Sequence, residues 1–488
     1  MPLLSKQFAA VTIPTLISRI TGFFRDLVIA SVFGSTGITD LFFIALRAPN
    51  LLRRLFGEGT LSQSAVPILA KANKEKFAAT AKSLNSIGAS ILLLISAAGA
   101  LFPHAIILII APGILSDNSR AKIALDMIQI SFPYLFFIGF SVLIAASMNA
   151  KKRFIIPAAS PIMFNIAIIA AALVAHFFNL SIVTLCWGIL AGGIIQLVIH
   201  LLGASAYHIP LLLSFKINDN LKLIAKRMLP ALIATGAMQL STWADTIIAS
   251  FLNQGAISTL FYANRIIQLP LALLAISFST VLVPHLSLKS DKAIKQSAQD
   301  LMPGFFILFF LVSLFLIIAG KPITGVIFER GAFSANDTQA VYYALVAYAP
   351  SLFAYSAIRT ITPLFYAKGD TKTPSRFSII GVVLTIVSAV SLSIETGYIG
   401  IALATSIGAT VNLILLIKEL ARGNLKFSLP IVKMLIFALI TLPFAVFLHY
   451  QYPETFAGRL LQLTGLTAVF FAVSAIFFGK ILKPLLRM

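Results

Sequence analysis

The sequence predicts an all-α polytopic membrane protein of about 14 transmembrane helices, arranged as two parallel-repeat six-helix lobes followed by two extra C-terminal helices. Of the 488 residues, 59% are hydrophobic and only 11% are charged, a balance outside the range of water-soluble domains. Apolar runs of roughly 20 residues, each long enough to cross ~30 Å of hydrocarbon, recur along the chain. The sequence lacks the alternating pattern of barrel strands, so its spans must satisfy their backbone hydrogen bonds as helices.

The first span begins close to Met1, and the sequence before it has neither the charged region nor the small-residue cleavage site of a signal peptide. We therefore interpret it as a retained transmembrane helix. Each later span is separated from the next by a short connection. The predicted spans are 8–33, 38–56, 84–110, 123–149, 157–178, 181–203, 227–251, 256–286, 302–327, 338–366, 375–395, 397–418, 430–448 and 459–479.

Basic residues are distributed unequally between the two alternating sets of connections. One set, which includes both termini, holds 27 of the 37 lysines and arginines, and the other set holds five. Cytoplasmic loops carry the excess of basic residues, so both termini are predicted in the cytoplasm of a bacterial inner membrane. The formal charge of +21 therefore indicates a membrane surface and not a nucleic-acid ligand. A wrong number of spans would mix the two sets, which supports an even count.

The two halves of the chain match at a nearly constant offset. Asp26 is matched by Asp245 at an offset of 219, and Pro157 is matched by Pro374 at 217. An even number of spans separates the copies, so the halves run parallel, and transporters of this design bind substrate between two lobes that alternate access by rocking. The predicted division is 1–210 for the N-lobe, 211–423 for the C-lobe and 424–488 for the last two spans.

Five arginines fall inside predicted spans, where each costs about 2.5 to 3.5 kcal/mol unless it has a partner or a wet cavity. Arg19 lies near the middle of the first span, and Arg25 lies about 9 Å further along at 1.5 Å per residue. Arg47 and Arg265 lie in the second and eighth spans. Arg359 is close enough to the end of the tenth span to extend its side chain to the headgroups. The first four arginines therefore need another explanation.

Two explanations remain open at this point. In the first, the arginines form buried ion pairs with Asp26, Asp40, Glu58 and Asp245 and fix helix packing. In the second, they leave surplus positive charge in a cavity that binds an anion. The second is favoured because the embedded arginines outnumber the embedded acids. Arginine also suits a planar, bidentate contact with phosphate better than lysine does.

The second span carries a polar stripe. Asp40, Arg47 and Arg54 are spaced by seven residues, a step that returns almost to the same face of an α-helix. Asn50 and Glu58 extend the same stripe, which must face a cavity or another polar helix.

Asp245 repeats Asp26 but has no adjacent arginine. Two roles stay open for it. It binds a coupling cation or proton, or it bonds locally to Thr242 or to a neighbouring helix.

Several segments of the chain resemble the MurJ (MviN) lipid II flippases, and the resemblance covers nearly the whole sequence. The segments are Ser18-Arg19-Ile20-Thr21-Gly22-Phe23-Phe24-Arg25-Asp26, Asp40-Leu41-Phe42-Phe43, Pro49-Asn50-Leu51-Leu52-Arg53-Arg54-Leu55-Phe56-Gly57-Glu58-Gly59, Tyr262-Ala263-Asn264-Arg265, Phe328-Glu329-Arg330-Gly331-Ala332-Phe333 and Lys372-Thr373-Pro374.

This resemblance implies the fold of the multidrug/oligosaccharidyl-lipid/polysaccharide exporter superfamily. It also implies outward flipping of lipid II, the undecaprenyl-pyrophosphate-linked peptidoglycan precursor, with a groove for the lipid tail along residues 424–488. The pyrophosphate-binding residues would be Arg19, Arg25, Arg53 and Arg265. The supporting or gating residues would be Asp26, Asp40, Arg47, Asn50, Arg54 and Glu58.

Catalysis and cofactor chemistry are not expected. Cys186 is the single cysteine and the six histidines are scattered, so the sequence predicts no metal site and no cofactor. The expected partners are lipid II and the bilayer, and the expected form is a monomer. A cation-coupled multidrug exporter is an alternative, but it predicts an acid-rich cavity. A flippase for another polyprenyl-pyrophosphate-linked glycan is a second alternative, and it shares the arginine chemistry.

Overall fold

The computed structural model describes residues 2–56, 60–211, 213–271, 291–367, 369–422 and 430–483. Within these ranges the chain forms helices and no strand, which confirms the predicted all-α class. The helices form two compact units, Met1–Gly255 and Ala256–Met488. Because lipid tails are as apolar as side chains, each unit depends on close packing between its helices and on internal hydrogen bonds.

The first unit contains ten α-helices and one short 3₁₀ helix, Pro112–Ser116, in its described residues. The α-helices are α1 (Pro2–Phe33), α2 (Gly37–Phe56), α3 (Ser62–Lys71), α4 (Lys74–Leu101), α5 (Pro103–Ile110), α6 (Asn118–Ser131), α7 (Tyr134–Ala150), α8 (Ile155–Phe177), α9 (Thr184–Ala206) and α10 (Asp219–Ser250).

Small residues allow the central helices of this unit to pack closely. Helix α9 lies against α7 and α8, and α8 also lies against α1. A Cβ atom on Gly188 of α9 would lie 2.6 Å from the Cβ of Ala171, and one on Gly192 would lie 2.8 Å from Phe164. Such glycines let membrane helices approach backbone to backbone. The contact between α1 and α8 positions the polar residues described below.

Three connections that the span count assigns to one side of the membrane meet in the first unit. The backbone N–H of Gly255 donates to Asp40 Oδ2 at 2.7 Å, at the start of α2. The backbone N–H of Gly113, in the 3₁₀ helix, donates to Ser250 Oγ at 3.0 Å, at the end of α10. Gly255 has a φ of 89°, and a Cβ there would approach the Ser35 carbonyl oxygen to 2.9 Å, so glycine is needed at this junction.

The opposite ends of these helices are also joined. Thr80 Oγ1 donates to Asn218 Oδ1 at 3.5 Å and accepts from Asn220 Nδ2 at 3.2 Å, linking the beginnings of α4 and α10. Lys151 Nζ donates to the His208 carbonyl oxygen at 3.2 Å, linking the ends of α7 and α9. One span too many or too few among the first seven would have placed these partners at opposite ends of the unit. The predicted alternation of span directions therefore agrees with the structure.

The second unit contains seven helices in its described residues. They are α11 (Ala256–Pro270), α12 (Asp291–Phe328), α13 (Ala335–Tyr366), α14 (Lys372–Thr396), α15 (Tyr398–Arg422), α16 (Ile431–Tyr450) and α17 (Phe456–Leu482).

Helix α13 is the centre of this unit, since it lies against α11, α12 and α15. Helices α14 and α15 pair through two glycines. A Cβ on Gly408 of α15 would collide with the Gly381 carbonyl oxygen and with the Thr385 hydroxyl, both on α14. Helices α16 and α17 pack on α12 through an apolar cluster that includes Ile307 and Phe437.

A polar cluster holds the connection between α16 and α17 against α12. Arg459 Nη2 lies 2.5 Å from Glu329 Oε1, and both side chains are nearly buried. Tyr452 Oη and Thr338 Oγ1 donate to Glu329 Oε2 at 2.8 and 2.7 Å. Burial raises the pKa of Tyr452 well above its usual value, and the hydrogen bond to Glu329 raises it further. The two extra helices are therefore tied to the second unit by charge as well as by apolar contact.

Each of the fourteen predicted spans is matched by a described helix, although the second half of the eighth span lies outside the described residues. Nine helical segments among the described residues are long and apolar enough to cross a membrane by length and composition. Others, such as α1 and α2, contain the in-span charges. The fourth span consists of α6 and α7, which are interrupted at Phe132 and Pro133 because proline lacks the N–H that would continue the helix.

Helix boundaries repeat at the offset found in the sequence. Helix α1 ends at Phe33 and α10 at Ser250, and α8 begins at Ile155 and α14 at Lys372, so both pairs are 217 residues apart. Helix α10 opens the second repeat in sequence but belongs to the first compact unit, which ends at Gly255. The division at 210/211 and 423/424 therefore remains a prediction about the repeat.

The close contact between α14 and α15 predicts that Gly408→Ala destabilises the protein by about 1 to 3 kcal/mol, because the added methyl group has no room beside the Gly381 carbonyl. Thermal unfolding of the full chain in detergent measures this effect. Gly465→Ala is the matched control, since a Cβ at that exposed position of α17 meets nothing within 4 Å. Equal unfolding temperatures for the two variants would contradict the assignment.

Candidate functional site

Arg25 lies inside the first unit and is held by two other side chains. Its Nε and Nη2 donate to Asp26 Oδ1 at 2.9 and 2.6 Å, and its Nη1 donates to Asn165 Oδ1 at 3.1 Å. Arg25 is 6% exposed and Asp26 is 0% exposed. Three of the five guanidinium N–H groups are thus used, and the charge is balanced by a neighbouring carboxylate. Arg25 therefore forms a buried ion pair, as the first explanation predicts.

Asn165 on α8 also fixes the backbone of α1. Its Nδ2 donates to the Ser18 carbonyl oxygen at 3.0 Å and to Thr21 Oγ1 at 3.2 Å. Asn165 also lies beside Gly22, where a Cβ would be 3.4 Å from Asn165 Nδ2, an ordinary contact distance. One amide side chain therefore accepts from Arg25 and donates to the turn of α1 that precedes it.

The polar side chains along α2 bond to different elements at successive positions of the helix. Asp40 is buried, accepts from Gly255 N–H and lies 3.7 Å from Arg120 Nη2. Arg47 Nη1 donates to Thr246 Oγ1 of α10 at 2.7 Å. Each of these bonds ties α2 to another element of the first unit.

The C-terminal end of the stripe continues along α2 itself. Asn50 Nδ2 donates to the Leu46 carbonyl oxygen at 2.8 Å, and Arg53 Nε donates to Asn50 Oδ1 at 3.0 Å. Asn50 and Arg53 are half-buried. The side chain of Arg54 and all of Glu58 lie outside the described residues, so their predicted roles stay predictions.

Asp245 lies next to the Arg47 contact on α10. It is half-buried, and its Oδ1 atom has no hydrogen-bond partner among the described residues. Arg47 is the positive charge that acts on this carboxyl group. Thr242 was the local partner suggested by the sequence. Its carbonyl oxygen accepts a hydrogen bond from the Thr246 hydroxyl. The role of Asp245 in binding a coupling ion stays a prediction.

Of the remaining in-span arginines, Arg19 and Arg359 have no carboxylate within ion-pair distance among the described residues. Arg19 is exposed on α1, and the described residues offer its side chain no hydrogen bond. In the second unit, Arg265 is half-buried, with its guanidinium 5.3 Å from the centre of the Phe261 ring. Arg359 is exposed on α13.

Three partners were not identified from the sequence. Asn165 is an isolated amide in the apolar run of α8, and that isolation was the available signal. Thr246 and Arg120 gave no signal, because a hydroxyl carries no charge and Arg120 lies between the third and fourth predicted spans. In the described residues, no group of three or more histidine, cysteine, aspartate or glutamate side chains is arranged to hold a metal ion.

Comparison with known proteins relates the chain to one family. The family model described as lipid II flippase MurJ matches residues 29–479. A probable lipid II flippase MurJ of Buchnera aphidicola subsp. Acyrthosiphon pisum (strain APS) is 36% identical over 438 residues, which cover 86% of this chain and 84% of the relative. Lipid II flippase MurJ of Burkholderia cenocepacia (strain J2315) is 34% identical over 425 residues, covering 84% and 82%.

Two solved structures agree in fold. A lipid II flippase MurJ in an inward closed conformation superposes with a TM-score of 0.81 at 27% identity, covering 96% of this chain and 99% of that one. An inward-facing multidrug resistance MATE family transporter of the MOP superfamily superposes with a TM-score of 0.66 at 12% identity, covering 86% and 97%. The second likeness concerns the fold alone.

The Arg25 arrangement predicts that Asp26→Asn destabilises the full chain by about 3 to 5 kcal/mol, because the guanidinium would stay buried without its counter-charge. The control is Glu419→Gln, which breaks an exposed ion pair with Arg422 at 3.1 Å. Exposed pairs contribute about 0 to 1 kcal/mol. Unfolding in detergent distinguishes them, and a loss no larger for Asp26→Asn than for the control would show that the buried pair does not stabilise the unit.

Proposed function

Because this chain belongs to the lipid II flippase MurJ family, we propose that it moves lipid II from the inner to the outer leaflet of the bacterial cytoplasmic membrane by alternating access. It is a multi-span transporter in which both termini face the cytoplasm. The observation that carries the proposal is the family match over residues 29–479, and the arginines of the spanning helices supply the chemistry that a pyrophosphate needs.

Arg19 is the residue we assign to first contact with the pyrophosphate. Its guanidinium is exposed on a spanning helix, and among the described residues it has no counter-charge. A guanidinium in that position attracts an anion and can bind two phosphate oxygens at once. Arg53 and Arg265, which are half-buried, are the other cations assigned to the substrate.

We assign Arg25 to orienting the pyrophosphate by hydrogen bonds. Asp26 neutralises it and Asn165 orients it, so it contributes little net charge but offers its remaining N–H groups in a fixed direction. Arg47 and Asp40 support the site by holding α2 against other parts of the first unit. Breaking the Asp40 contact with Gly255 would release the link after α10, which is why we assign Asp40 to gating.

The lipid tail is assigned to the surface of α16 and α17. Their exposed side chains are largely apolar, with Leu439 72% exposed and Leu461 75% exposed. Such a surface is compatible with an undecaprenyl chain, because contact between apolar groups replaces contact with other lipid tails. The Glu329 cluster keeps this pair of helices attached to the unit that contains Arg265.

The function is tested by depleting the protein in a bacterium that depends on it and measuring lipid II on the outer face of the membrane. Depletion should remove that lipid II, and restoring the wild-type chain should return it. Unchanged exposure of lipid II would reject the function. A block in exposure of a different polyprenyl-pyrophosphate glycan, with lipid II unaffected, would favour the alternative cargo.

In the same cells, Arg19→Ala should lower the flipping rate about tenfold to hundredfold, the effect of losing a charge-assisted phosphate contact of about 1.5 to 3 kcal/mol. Arg19→Lys should retain part of the activity, because it keeps the charge but loses bidentate geometry. Arg359→Ala is the matched control, being another exposed arginine of a spanning helix. With expression equalised, similar rates for Arg19→Ala and Arg359→Ala would exclude the assigned role.

A further inference from the structure

A cavity of about 460 Å³ lies within the first unit, where the end of α3 meets the beginnings of α4 and α10. Its volume falls in the range of ~300 to 1,000 Å³ that is usual for small-molecule sites. Lys71, Lys76 and Arg227 line it, together with an apolar wall that includes Pro67, Ile68 and Leu223. None of these residues belongs to the site assigned to lipid II.

The cavity carries concentrated positive charge. Lys71, Lys76 and Arg227 are all exposed, and none forms an ion pair among the described residues. Nearby Lys222, by contrast, lies 3.8 Å from Asp219. Three cations that share one cavity without carboxylates repel one another unless an anion lies between them.

Two helix N-termini strengthen this field, and hydrogen bonds hold them in place. Asn73 caps α4 by accepting from the Lys76 N–H at 2.9 Å, and Asn218 caps α10 by accepting from the Leu221 N–H at 2.9 Å. Thr80 connects the two helix starts through its bonds to Asn218 and Asn220. Both helix N-termini therefore lie at the cavity, since Asn73 and Asn220 line it, and a helix N-terminus favours a phosphate group.

We propose that this cavity binds the phosphate of an anionic lipid headgroup. The combination of cations with an apolar wall matches a molecule whose charged head is joined to an apolar body. The connections that form the cavity also belong to the basic set, which faces the leaflet that carries anionic lipids. The ligand chemistry is a phosphate mono- or diester, and a soluble phosphate compound is the other possible source.

Lipid binding by the full-length chain in neutral detergent tests the proposal. Native mass spectrometry measures retention of phosphatidylglycerol against phosphatidylcholine, with inorganic phosphate as a competitor. The triple variant Lys71→Gln/Lys76→Gln/Arg227→Gln should bind phosphatidylglycerol about tenfold less tightly or worse. The control triple Lys372→Gln/Arg376→Gln/Lys418→Gln removes the same charge from exposed positions elsewhere and should bind as the wild type does.

A second variant keeps all charges and removes the space. Leu223, which is 39% exposed, lines the cavity, so Leu223→Trp should weaken phosphatidylglycerol retention while leaving the unfolding temperature nearly unchanged. This variant decides the matter if the triple variant fails to fold.

Each outcome has a definite meaning. Retention that falls only in the cavity variants supports the lipid site. Displacement of the lipid by millimolar phosphate, or phosphate binding without lipid preference, overturns the lipid headgroup as the ligand and assigns the site to a soluble phosphate compound. Equal loss in both triple variants, or no loss in the cavity variants, overturns the proposal. The assay involves no transport, so its failure would leave the proposed flippase function untouched.

Discussion

A guanidinium group inside a spanning helix must be hydrogen-bonded, and the first unit is organised around that requirement at Arg25. Asp26 on the same helix neutralises its charge, and Asn165 on α8 supplies the third bond. Asn165 then uses its own amide to hold the backbone of α1. These bonds hold the Arg25 face of α1 against α8.

The face of Arg19 follows from that choice. Six residues separate Arg19 from Arg25, which places them on different sides of the helix at 3.6 residues per turn. When Arg25 turns inward to Asp26 and Asn165, Arg19 is left exposed, and none of the described carboxylates lies within ion-pair distance of it. A neutralised arginine and an uncompensated one therefore occur within one helix. The first maintains the fold, and the second remains available to an anion such as a pyrophosphate.

The two ends of the first unit differ in their polar contacts. At one end, Asp40 and Ser250 accept from the backbone N–H groups of Gly255 and Gly113, so three connections are joined by hydrogen bonds. At the other end, Thr80 holds two helix starts together while exposed lysines and an arginine surround a cavity. The first end resembles a closed contact that opening would have to break. The second resembles a surface prepared for anionic groups.

The sequence by itself determined the helical class, the order of fourteen spans, the unequal distribution of basic residues and the family. The first three follow from hydropathy, charge and spacing along the chain, and the family follows from the resemblance of short segments. None of these requires knowledge of what lies beside each helix. The same information identified Arg19, Arg25, Arg47 and Arg265 as residues needing an explanation, because an in-span arginine is costly wherever it points.

Only the tertiary structure showed which side chains hold Arg25, Arg47 and Asp40. Arg25 bonds to Asn165 across 140 positions, Arg47 bonds to Thr246 across 199, and Asp40 lies near Arg120 and not near Arg47. Counting embedded charges missed these partners because an amide and a hydroxyl carry no charge. The partners also come from helices that are distant in sequence, and only packing brings them within hydrogen-bond distance.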